Sequence, residues 1–164
     1  MASLKLNGDT SGTVTLTVPA VAGTNTLTLP AVTDTLVGLA ATQTLTSKTL
    51  TNPSINDYTE GVTAIGTVTT ANTLSLASGT VQTATLTAST ACTFTMPTAT
   101  AGKSFTLLLK QAATTGSGTA TFTGVKFGTA GAPTITATAG KMDILTFIAD
   151  GINWYGTAAQ GYTP

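Results

Sequence analysis

The tripeptide Gly102-Lys103-Ser104 has the residue types that close a phosphate-binding loop, where backbone amides and a lysine cradle phosphate at the start of a helix. That motif also needs a glycine five residues before Gly102, where Pro97 stands, and a helix after it, whereas Ser104 to Gln111 alternates as a strand does. Nucleotide binding is therefore not expected. A polysaccharide-cleaving site would need two carboxylates flanking the sugar bond, and Asp57 with Glu60, or Asp143 with Asp150, are the pairs to weigh. All four lie beside predicted turns or strand ends, where acids form turns or ion pairs, and the chain has no arginine or histidine to support chemistry. Cys92 stands in Cys92-Thr93-Phe94-Thr95-Met96, on one face with Phe94 and Met96, and without a histidine to activate it the thiol is expected to be buried and inert. Asn7-Gly8-Asp9 is a turn without the ligand series of a calcium loop. No catalytic residue, cofactor-binding residue, metal ligand or cofactor is expected, and the chain reads as a non-enzyme.

Trp154 and Tyr155 are the remaining candidates for contact chemistry. Neighbours on a strand point to opposite sides, so one ring is expected in the core. The other is free to stack on a sugar ring or to pack against a neighbouring subunit.

The elements that must carry these residues are short strands. The 164-residue chain is long enough for one domain plus a non-globular segment. Charged residues are only 7% of it, and threonine fills about a quarter of the positions. The six positive charges are all lysines and are balanced by six acids, so no field recruits phosphate or acidic lipid, and neither a nucleic-acid partner nor membrane insertion is expected. With 41% hydrophobic residues and a mean hydropathy of +0.33, the chain is too apolar for disorder, yet no stretch approaches a membrane span. MASLKLNGDT lacks the apolar core of a signal peptide, so synthesis in a cytoplasm is expected.

Alternation is the dominant pattern. Val14, Leu16 and Val18 share one face of a strand and Thr13, Thr15 and Thr17 the other, with Asn7 to Gly12 read as the loop leading in. Eleven residues on, Leu27, Leu29, Pro30, Ala31 and Val32 repeat Leu16, Val18, Pro19, Ala20 and Val21. Residues 33 to 56 lose the alternation; a short helix around Val37 to Thr42 is one reading, and an extended segment burying Leu36, Leu39, Leu45 and Leu50 against copies of itself suits the pattern better. From Asp57 the texture is that of a compact β domain, punctuated by glycine, serine and proline. Strands are predicted at Val62 to Thr69, Thr73 to Ala77, Val81 to Ala88, Cys92 to Met96, Ser104 to Gln111, Thr119 to Thr123, Thr134 to Ala139, Met142 to Ala149 and Ile152 to Gly156. Leu108, opposite Phe105, Leu107 and Leu109, makes Ser104 to Gln111 a central strand expected to be buried on both faces, and Asp150-Gly151 is expected to form a hairpin turn. The fold expectation is all-β: an extended N-terminal β segment over 1–56, forming an anchor and intertwined shaft, followed by a β-sandwich or jelly-roll-like domain over 57–164. Uncharged strands of this kind present edges that pair with other chains, so assembly is expected unless a closed barrel hides them.

GTVTLTVPAVAGTNTLTLPA followed by TLTSKTLTNPSIN resembles the N-terminal and shaft segments of bacteriophage tail-fibre and head-fibre proteins. YTEGVTAIGTV, TFTMPTATAGKSFTLLLKQ and GVKFGTAGAPTITATAGKMDILTFIADGINWYG resemble the β-sandwich domain that often closes them. Members of the group often carry tryptophan and proline after the GVK element; here Phe127-Gly128 follow Lys126. The resemblance implies a virion structural protein, a homotrimeric short fibre or spike. Its N-terminal segment would hold another virion protein, of capsid or tail, and its outer domain would face host cell-surface polysaccharide. A capsid decoration protein clamping shell subunits is the alternative, and a bacterial surface adhesin a third.

Overall fold

The computed structural model describes residues 3–7, 9–17, 19–21, 23–24, 26, 31, 42, 44–46 and 48–164. The chain divides into two units, Met1–Pro53 and Ser54–Pro164.

In the first unit, β1 (Ser3–Asn7) and β2 (Thr13–Thr17) form an antiparallel hairpin. Its pairing sets Leu4 opposite Leu16 and Leu6 opposite Val14, so the apolar residues of both strands share one face and Lys5 and Thr15 the other. Asn7, expected to begin the loop leading into the first strand, instead ends β1, whose alternation, SLKLN, is too short to separate from loop without its partner. Val18 of the first copy of the eleven-residue repeat, the second copy apart from Ala31, Leu36, Leu39 and most of the 37–42 segment lie outside the described residues.

The second unit builds one core from strands that alternate between two sheets. β3 (Val62–Val68), β5 (Val81–Leu86) and β7 (Ser104–Lys110) run parallel in one sheet, and β4 (Ala71–Thr73), β6 (Ala91–Thr95) and β8 (Thr119–Thr123) run parallel in the other. Each passage through both sheets is a coil of about twenty residues, the length of a solenoid repeat. β9 (Val125–Phe127), β10 (Met142–Ala149) and β11 (Trp154–Tyr162) then extend the first sheet to the order β3-β5-β7-β10-β11-β9, with β10 antiparallel to both neighbours. The all-β expectation therefore holds, but the sandwich or jelly-roll topology is corrected to a short β-solenoid closed by an antiparallel hairpin. A parallel pair needs a long crossover, and here the strand in the opposite sheet supplies it in place of a helix.

Alternation explains which residues meet inside. Gln82, Ala84 and Leu86 of β5, Phe105, Leu107 and Leu109 of β7, and Leu145, Phe147 and Ala149 of β10 are buried, facing Cys92 and Phe94 of β6. Phe94 stacks on its register partner Phe122 at 5.3 Å and Phe105 on Phe147 at 4.8 Å, while Trp154 meets Phe105 edge-on. In β3 the phase slips by one residue at a bulge beside Gly66, whose φ of 84° suits glycine, and this turns Val68 inward although Thr63 and Ile65 face inward before it. Two buried amides close the corners. Gln82 donates to the Ser75 carbonyl, and Gln111 both donates to the Gly118 carbonyl and accepts from the Gly118 N–H.

Several predicted strands change. β4 ends at Thr73 rather than starting there, and β11 begins at Trp154 and runs on to Tyr162. Thr134 to Ala139 forms no strand, although Ile135 is buried. β7 is central, but Leu108 is only half-buried, so the strand has one covered face and not two.

Candidate functional site

The phosphate-loop mimic is occupied by structure. The Gly102 N–H donates to the Ala149 carbonyl at 3.0 Å, the Lys103 N–H to the Thr100 carbonyl at 3.1 Å, and Ser104 opens β7. These amides join a turn to β10, and no helix follows.

Asp143 and Asp150 are not brought together as a sugar-cleaving pair. Asp143 and Asp150 lie at opposite ends of β10, seven residues and so roughly 23 Å apart, well beyond the ~5–9.5 Å such mechanisms use. Asp143 was read as a strand-end acid; it is buried, at 1% exposure. Its carboxylate accepts from the Thr136 N–H at 2.7 Å, the Gly161 N–H at 2.9 Å and the Gln160 side-chain amide at 3.1 Å. Burial pushes this carboxyl up, but those donors outweigh it and hold it below the ordinary aspartate value. Asp150 shapes the β10–β11 turn by accepting from the Ile152 and Asn153 N–H groups and from the Tyr155 hydroxyl, which together lower its pKa to about 2. At the other end of the unit, Glu60 accepts from the hydroxyls of Tyr58 and Thr80.

Cys92 is buried beside Phe94 and its thiol is pushed up by that burial. Trp154 is the core ring of the aromatic pair, donating through Nε1 to the Pro97 carbonyl at 2.7 Å, and Tyr155 is the outward one, 42% exposed. Among the described residues no group of three or more His, Cys, Asp or Glu side chains is placed to hold a metal, and no helix is long and apolar enough to cross a membrane.

What the described residues do offer is exposed apolar surface and terminal strand edges. On the hairpin, Leu4 (57% exposed), Leu6, Val14 and Leu16 form an apolar patch, and no other strand pairs with either edge among the described residues. In the solenoid the first coil is open, since β3 and β4 are the terminal strands of their sheets. Sequence reasoning found the uncharged edges but not the hairpin partner β1 that doubles the apolar patch; the signal was Leu4 and Leu6, alternating across a Gly-Asp turn from Val14 and Leu16. Comparison with protein-family models, curated proteins and solved structures returns no match.

Proposed function

We propose that this chain is a structural subunit of a bacteriophage virion, a homotrimeric short fibre or spike on the particle surface, and not an enzyme. One observation carries the reading: a two-stranded hairpin bares Leu4, Leu6, Val14 and Leu16 on a single face. An isolated hairpin is marginal in water, and a contiguous apolar face of this kind marks a surface that another chain covers. The open β3 and β4 edges and the scarcity of charge agree with it, because both favour strand sharing over solitary solubility. Trimer, virion and host attachment rest on the resemblance to phage fibre proteins. The N-terminal unit is read as particle anchor and intertwined shaft, and the solenoid unit as the exposed part, with Tyr155 available to host polysaccharide.

The test pairs two experiments on the full chain: sedimentation velocity for the subunit number, and antibody labelling of intact phage particles with binding to host cells. Thin labelled projections and cell binding support the fibre. Even labelling of the shell without cell binding transfers the reading to capsid decoration, and a chain that sediments singly and labels no particle overturns it.

A further inference from the structure

The two ends of the solenoid are finished differently. Beyond β7 the first sheet runs on through β10, β11 and β9, and Ile135, on the chain between β9 and β10, joins the core. At the other end β3 and β4 are the terminal strands of their sheets, and Ile65 and Leu76 of that coil are only partly buried. Water does not complete this end. Asn72, in the middle of β4, heads the inward column that continues with its register partners Phe94 and Phe122, and its side-chain oxygen is buried without a hydrogen-bond partner. A solenoid needs a cover over its terminal coil, and here the cover must be a strand, because β3 presents backbone groups along its free edge.

The chain carries residues with the spacing of such a cover. The first coil repeats after nineteen residues, from Val62 to its register partner Val81. Leu45 and Leu50 stand eighteen residues before Thr63 and Val68, and Ile55 nineteen before Leu74, all three of which face the inside of the first coil. A further coil's inward residues thus precede β3, yet Leu45, Leu50 and Ile55 are exposed, Leu50 by 60%. Residues 54–60, which lead into β3, form no strand; Ile55 and Tyr58 stay exposed, and Asp57 turns the backbone through the left-handed region at a φ of 55°. Among the described residues β3 has β5 as its one ladder neighbour.

We infer that residues 45–55 of a second copy of this chain add to the free edge of β3 as a parallel coil and cover the open end of the core. The inference rests on the reading of the chain as a homo-oligomer and names the segment and the edge that join its copies. Exchange of an identical element between copies is a low-cost route to assembly, since the contacts are those that one more coil of the same chain would make. Around a three-fold axis each copy gives its segment to the next and receives one from the last, so every edge is used and the assembly closes.

Disulfide trapping on the full chain tests it. Parallel addition in this register sets Thr46 of one copy beside Ala64 of its neighbour, outward-facing and ~4.8 Å apart, within the ~7 Å a disulfide tolerates. Cys92 is buried and adds no background. Mild oxidation of the variant with both Thr46→Cys and Ala64→Cys is expected to give covalent multimers, roughly tenfold or more above either single variant, and co-expression of the two single variants is expected to give a covalent pair. Leu50→Asp, with folding verified by the fluorescence of buried Trp154, is expected to weaken association on the order of 30-fold, as loss of an interface hot spot does. Thiols consumed at the mass of a single chain would mean that each chain covers its own coil, which overturns the exchange. An oligomer that survives Leu50→Asp unchanged and traps no disulfide also overturns it while leaving the homo-oligomer reading intact. A wild-type chain that sediments singly overturns both.

Discussion

Replacing Asp143 by alanine removes the acceptor that ties three parts of the solenoid unit together: the loop at Thr136, the start of β10 and the far end of β11 at Gln160 and Gly161. Gln160 keeps the Thr134 carbonyl as a partner at 2.5 Å, so the substitution takes the acceptor from two part-buried backbone N–H groups, those of Thr136 and Gly161. An unsatisfied donor costs ~1–3 kcal/mol where water is shut out and less where water reaches it, so Asp143→Ala is expected to destabilise by about 1–3 kcal/mol, a sizeable part of the ~5–15 kcal/mol available to a domain. Asp143→Asn retains one acceptor and should fall near the lower end. Urea unfolding followed by Trp154, the only tryptophan, reports the difference at pH 7. Because the folded carboxyl lies below the ordinary value, its contribution is present in full above the unfolded pKa of about 3.9 and is lost as pH falls through the folded pKa. The gap between wild type and Asp143→Asn should therefore narrow as the pH is lowered from 4 towards 2. An Asp143→Ala protein within about 0.5 kcal/mol of wild type, or a gap independent of pH, would refute the reasoning.

Gly116→Ala should destabilise by about 3 kcal/mol or more in the same unfolding assay, since an added Cβ would sit 1.8 Å from the Ala137 carbonyl oxygen, where only backbone can move. Thr63→Val should stabilise by about 0.5–1 kcal/mol, read as a higher urea midpoint, because the Thr63 hydroxyl oxygen is buried without a hydrogen-bond partner. Trp154→Phe should cost about 2–3 kcal/mol by stranding the Pro97 carbonyl and leaving a void beside Phe105, measured by the shift in thermal midpoint.

Period-two alternation made β5, β7, β8 and β10 readable, because a strand buried on one face imprints its burial on every second residue. The same alternation appears whether neighbouring strands run parallel in coils or antiparallel in a sandwich, and glycine and serine punctuate both kinds of connection, so strand direction was not legible. Thr134 to Ala139 alternates as a strand would, yet the Thr136 N–H donates to the Asp143 carboxylate where a ladder bond would be. Partners so distant in sequence leave no local trace, which is why Asp143 read as an ordinary strand-end acid. β11 continues past Gly156 because β10 offers it pairing as far as Met142, although its own residues there, Thr157 to Tyr162, show no alternation of bulky apolar side chains. Of the candidate surfaces, the apolar face of β2 was visible in Val14 and Leu16. The open edges of β3 and β4 depend on which strands are neighbours and emerge only from the topology.

The dependence of the mass in solution on the hairpin face tests the account most directly. Sedimentation of the full chain should give a species near three times the 16.3 kDa of one chain, and changing Leu4, Leu6, Val14 and Leu16 together to threonine should weaken that assembly while Trp154 stays buried. A concentration-independent 16.3 kDa species for the unaltered chain would contradict it.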